Sequence, residues 1–276
     1  MRIALVDSGL GLLNTAAELR RRHPDIELIL SMDPDFMPWG GRPDDEVIQR
    51  TLVAARAAAA LEPDVLILAC NSGSVVALAR VRTEFEPDLP IVGTVPAIKP
   101  AVAGGGPVAV WATMTTASSW YIQTELIMPY AQPAGVEVHP ISCTGLAEAI
   151  EHGDEPAYTR LVKKAAAETP AGVRAVVLGC THYGLIEDRI RAELGPDVDL
   201  YDSAPAIATR AVYLFHQEVE GRRRNREPLR GGPVAVLLSG RPASLPPAAF
   251  QYGAGPLLAP PPAAAQPPGG RRPAVA

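Results

Sequence analysis

"AVVLGCTHYGL", residues 175–185, is an apolar run that stops at Gly179-Cys180 and passes at once into Thr181-His182. A short continuous run rich in Val and Leu reads as a strand covered on both faces. The polar pair behind it reads as a turn leading into a helix. "DVLILACNSGS", residues 64–74, repeats the arrangement, ending on Cys70 with Asn71-Ser72 behind it. Buried strands that end in polar turns and feed helices imply parallel sheets joined by right-handed crossovers.

The same pattern extends through the chain. Strand-length apolar runs fall at 3–6, 27–30, 65–69, 91–95, 108–112, 136–141, 175–179, 198–201 and 234–239. Between them, residues 43–63, 157–170 and 203–220 carry strong helix formers, the first opening on Pro and acids that suit a helix N-terminus. Polar turns recur after the runs, at Asp7-Ser8, Cys70-Asn71-Ser72, Thr113 with Thr116, Cys180-Thr181-His182 and Asp202-Ser203. This echo predicts an α/β fold of two similar halves with mostly parallel sheets. The site is then expected in the cleft where the carboxyl ends of both sheets meet. From about Leu245 the chain turns rich in Pro, Ala and Gly, and residues 246–276 are expected to be disordered.

Composition narrows the function classes. The 276 residues are 47% hydrophobic, enough for a sizeable core, and the net charge of −5 gives no global field for nucleic acid or anionic membrane. The arginine clusters at 20–22 and 221–226 read as solvated helix ends. Three cysteines, Cys70, Cys143 and Cys180, argue against a disulfide framework and for a reducing compartment. No apolar run reaches membrane-spanning length, and the apolar part of the N-terminus is too short for a signal peptide, so a cytoplasmic location is expected.

A free cysteine at a strand end is ordinarily a small buried hydrophobe. Two that each end a strand and precede a predicted helix differ, because a thiol at a helix N-terminus is activated. Disulfide oxidoreductases keep their pair close in sequence, zinc sites need more ligands at fixed spacing, and a cysteine hydrolase leaves one thiol idle. Inversion at a carbon needs a base on one face and an acid on the other. One thiol from each half supplies that geometry.

The stretches "VDSGLG" (6–11), "MPWGG" (37–41), "LACNSGS" (68–74), "ATMTTASSWY" (112–121), "IEHG" (150–153), "LGCTHYGL" (178–185) and "YDSA" (201–204) occur in the order and spacing of a known family. Over about residues 1–250 the chain resembles the cofactor-independent glutamate racemases of the aspartate/glutamate racemase superfamily. The resemblance implies a first domain from residues 1–95 plus 205–245 and a second from 96–204. It implies Cys70 and Cys180 as the acid/base pair, the first acting on the D-enantiomer and the second on the L-enantiomer, assisted by Asp7 and His182. Ser8, Trp39, Gly40, Asn71, Ser72, Thr113, Thr116 and Thr181 match substrate-binding positions, joined by Asp7 and His182. An acidic amino acid as substrate, no metal or other cofactor, and a homodimer are the further implications, with D-glutamate supplied for peptidoglycan.

Some positions depart from the family. "CNSGS" stands for the usual C-N-T-A-S, and Gly73 is read as adding backbone freedom. "PWG" stands for P-Y-G, exchanging a phenol for a larger indole at Trp39. These changes leave open a racemase of another acidic amino acid, such as aspartate, or a weakly catalytic regulatory relative. Glu151 matches a common acid of the family but reads as a solvated helix residue, and Cys143, Trp111 and Trp120 read as packing residues.

Overall fold

The computed structural model describes residues 1–119, 122–221, 227–229 and 232–259. Trp120, the basic stretch 222–226 and the chain from 260 onward lie outside the described residues, with the expectations placed on them. Ten strands are formed: β1 (Arg2–Asp7), β2 (Glu27–Met32), β3 (Val65–Leu68), β4 (Ile91–Gly93), β5 (Val108–Ala112), β6 (Val138–Ser142), β7 (Ala175–Leu178), β8 (Asp199–Tyr201), β9 (Val234–Leu238) and β10 (Arg241–Ala243). The helices are α1 (Leu13–Arg22), α2 (Asp44–Ala59), α3 (Asn71–Phe85), α4 (Ile98–Ala103), α5 (Met114–Ala117), α6 (Met128–Ala134), α7 (Leu146–Glu151), α8 (Glu155–Glu168), α9 (Glu187–Leu194), α10 (Ala204–Leu214) and α11 (Gly255–Leu258).

The strands form two sheets. The first has six in the order β10-β9-β2-β1-β3-β4, and the second has four in the order β6-β5-β7-β8. Every pairing is parallel except that of β10 with β9. The first sheet therefore draws on both ends of the chain. Each of the nine predicted runs forms a strand; β10, which carries Pro242 and pairs at a sheet edge, gave no apolar signal.

Burial explains the unbroken apolar runs. β1, β3, β5 and β7 are buried at every position, because helices cover both faces of their sheets. Each Val, Ile or Leu so placed contributes about 1.5–3 kcal/mol relative to exposure. One apolar cluster runs from Leu10, Leu12 and Leu13 in the first half to Leu146, Ile150 and Tyr183 in the second. Trp111 and Cys143 are buried packing residues, as expected. Arg20, Arg21 and Arg22 close the last turn of α1, where Arg21 and Arg22 pair with Glu18.

The expected disorder from residue 246 is corrected in part. Pro247–Gln251 forms a short 3-10 helix, α11 follows, and Ala249, Tyr252 and Leu258 are buried. The sparse aromatic and aliphatic residues among the prolines suffice to dock this segment, and the Tyr252 hydroxyl donates to the Ile150 carbonyl at the end of α7. Among the described residues, no helix is long and apolar enough to cross a membrane.

Candidate active site

Both cysteines of the two matching stretches leave their sheets at the carboxyl end. Cys70 follows β3 and caps α3, accepting a hydrogen bond from Gly73 N–H at 3.4 Å. Cys180 follows β7. In the first sheet Val6 is level with Leu68, so Asp7-Ser8 emerges beside Cys70. In the second sheet Trp111 is level with Leu178, so Thr113 emerges beside Cys180. Parallel pairing thus brings four separated turns to one place.

These turns enclose a cavity of about 20 Å³. Ser8, Gly40, Asn71, Ser72, Thr113, Thr116, Thr181 and His182 line it together with Cys70 and Cys180. Met37, Pro38 and Gly179, which lie in the quoted stretches but were given no site role, complete the lining together with Ala147, which carried no sequence signal. A volume on the order of one water admits no amino acid, so a ligand of that size enters only when the halves part. Hydrogen bonds tie the lining turns together. Asn71 Nδ2 donates to the Gly179 carbonyl at 2.8 Å, and Thr181 Oγ1 donates to Asp7 Oδ2 at 3.0 Å. Asn71 Oδ1 is buried with no hydrogen-bond partner among the described residues.

The two thiols have unlike surroundings. Cys180 Sγ lies 3.8 Å from His182 Nδ1, and His182 Nε2 lies 2.9 Å from Glu151 Oε2. Burial opposes a charge on His182, but its bonds to Cys180 and Glu151 carry its pKa well above the ordinary 6.5. Cys70 has no such cation. Burial, then the charge of Asp7, push its thiol up, while the Gly73 N–H pulls it down. Asp7 is wholly buried; burial raises its carboxyl against the pull of His182, Gly9 N–H and Thr181. It lies beneath the cavity and holds Ser8 and Thr181 in place. Burial likewise raises the Cys143 thiol to about 12.

Two sequence expectations are corrected. Glu151 is not a solvated helix residue: its side chain is 12% exposed, and it accepts from Leu10 N–H at 2.7 Å as well as meeting His182. Its partners lie in other turns, which helical position alone does not reveal. Trp39 does not line the cavity. Its indole turns inward, 1% exposed, and donates to Asp33 Oδ2 at 3.0 Å. The bulk of the indole is better satisfied in the apolar interior, given that buried partner. Asp33 itself was missed in the sequence; it is fully buried and bound by Arg50 and Ser239 as well. Burial alone would raise its carboxyl, yet Arg50, Trp39 and Ser239 together hold it below the ordinary value.

Gly11 is required by close approach. A Cβ there would stand 2.3 Å from Thr181 Oγ1 and 2.8 Å from Asp7 Oδ2 and His182 Nδ1. Gly73, by contrast, sits inside α3 without a left-handed φ, so backbone freedom is not its reason. Among the described residues, no cluster of three or more His, Cys, Asp or Glu is arranged to hold a metal.

Comparison with known proteins agrees with this geometry. The family described as Asp/Glu/Hydantoin racemase matches residues 11–211. A glutamate racemase of Deinococcus radiodurans is 36% identical over 251 residues, 88% of this chain and 83% of that protein. One of Roseiflexus sp. is 37% identical over 249 residues, 87% of this chain and 88% of that protein. The crystal structure of Escherichia coli glutamate racemase in complex with L-glutamate and the activator UDP-MurNAc-ala superposes with a TM-score of 0.73 at 28% identity, covering 91% of each chain.

Proposed function

The chain belongs to the Asp/Glu/hydantoin racemase family, and from that premise we propose that it interconverts L- and D-glutamate without a cofactor. The observation that carries the reading is the placement of Cys70 and Cys180 on one small cavity, each from the carboxyl end of a strand in a different sheet. One thiolate takes the α-proton: the Cα–H bond breaks, an S–H bond forms, and the electron pair is left on Cα beside the carboxylate. The opposite thiol then gives its proton to the other face of Cα, becoming the thiolate. Cys70 serves the D-enantiomer as base and Cys180 the L-enantiomer.

The surroundings suit the chemistry. The α-proton is a very weak acid, and the raised pKa of Cys70 makes its thiolate the stronger base. The bound substrate's ammonium offsets the burial that otherwise keeps the Cys70 thiol neutral. Asn71 Oδ1, an unpartnered buried acceptor, is suited to that ammonium. The hydroxyls of Ser72, Thr113 and Thr116 and the backbone N–H groups of the turns stabilise the carboxylates and the developing negative charge, while Ser8 and Thr181 donate their protons to Asp7. His182, held by Glu151, supports Cys180 as donor and acceptor. The product would supply D-glutamate for peptidoglycan in the cytoplasm, from an enzyme that assembles as a homodimer.

The test is polarimetric. Purified protein with each enantiomer of glutamate should lose circular dichroism to zero without added cofactor, and each enantiomer of aspartate should react far more slowly. Comparable or faster turnover of aspartate would move the substrate; stable dichroism with all four would sink the reading.

A further inference from the structure

Trp39 and Gly73 meet behind the cavity wall. A Cβ at position 73 would stand 3.0 Å from both Cε3 and Cζ3 of the indole and 3.3 Å from the Cβ of Cys70. The indole has nowhere to withdraw. It is buried, its N–H is bound to Asp33 at 3.0 Å, and Asp33 is fixed in turn by Arg50 Nε at 2.9 Å and Ser239 Oγ at 2.7 Å. Helix propensity alone would favour Ala over Gly within α3. What glycine supplies here is room for the ring.

The contact reaches the chemistry because the Gly73 N–H donates to Cys70 Sγ at 3.4 Å. We propose that Trp39 is a positioning residue: its indole, pinned by Asp33, packs on Gly73 and fixes the first turn of α3 so that the Gly73 N–H stays on the Cys70 sulfur. A backbone N–H aimed at sulfur favours the thiolate. The role given to Cys70 rests on the racemase reading; the contact and its effect on the thiol do not.

The experiment compares the full-length parent with Gly73→Ala, Trp39→Phe and the double variant. Three quantities are read: kcat and KM for glutamate, the melting temperature, and the rate at which iodoacetamide alkylates Cys70 relative to Cys180, mapped by peptide mass spectrometry across pH. Gly73→Ala should lose about tenfold or more in kcat, the scale of a lost charge-assisted hydrogen bond, with KM changed by less than about threefold. Its Cys70 should alkylate about tenfold more slowly near pH 8, with Cys180 unchanged. The smaller ring of the double variant should restore most of both. Trp39→Phe alone should also slow Cys70 alkylation, which keeps the test alive if Gly73→Ala does not fold. Parent-like alkylation of Cys70 in both single variants overturns the proposal. So does a double variant that melts with the parent yet performs no better than Gly73→Ala. A parent inactive on glutamate, with the alkylation shift intact, upholds the contact and overturns the substrate instead.

Discussion

At the scale of the residue, the asymmetry between the two thiols has a measurable consequence through Glu151. The folded pKa of His182 is raised well above 6.5, so the folded protein favours the charged imidazole. The stability this contributes is fully present below about pH 6.5 and is lost as pH rises through the raised value. Glu151→Gln should therefore destabilise the fold by about 2–4 kcal/mol near pH 6, with a gap that narrows at alkaline pH. Denaturant unfolding of parent and variant across pH checks the sign; a gap that widened with pH would contradict the pairing. The placement of Cys70 and Cys180 at strand ends was legible because each ends an apolar run; alone each reads as a small buried hydrophobe, and only the matched pair points to chemistry. Glu151 was not, since its value lies in partners 31 and 141 positions away. Trp39 was misplaced for a related reason: sequence gives a position in a turn, and the rotamer that buries the ring depends on Asp33 and Gly73.

At the scale of the element, the segment after β10 bears on the site although it lies far along the chain. The Tyr252 hydroxyl bonds the Ile150 carbonyl, one residue before Glu151 on α7, and Leu258 is 1% exposed. Leu258→Ala should cost about 2–5 kcal/mol through the lost packing and the cavity left behind. Tyr252→Phe should cost about 1–2 kcal/mol and lower racemisation, because the end of α7 loses a buried tie. Thermal unfolding and turnover of both variants test this; unchanged stability in Leu258→Ala would show the segment is not docked. Composition hid the docking, since the prolines and alanines of the segment outweigh the four buried side chains Ala249, Tyr252, Ala254 and Leu258. Strands were the most legible elements, because burial on both faces demands unbroken apolar runs. The edge strand β10, exposed at all three residues and carrying a proline, made no such demand.

At the scale of the whole molecule, the carboxyl ends of two mostly parallel sheets meet at a cavity of about 20 Å³. That volume is too small for glutamate, so the lining must part to admit it. The turns at 37–40, 71–74 and 113–116 should thus exchange amide hydrogens faster than β1, β3, β5 and β7. Glutamate should slow that exchange in the turns and leave the strands unchanged. Equal exchange with and without glutamate would contradict closure over a bound substrate. The central claim, that one thiol removes the proton and the other returns one, is tested most directly by racemisation in D₂O. At a few per cent conversion of L-glutamate, the D-glutamate formed should carry deuterium at Cα, while the remaining L-glutamate keeps its protium. Cys70→Ala and Cys180→Ala should each abolish formation of the opposite enantiomer. Protium retained in the product would mean that a single group moves the proton between faces, and the two-thiol account would fail.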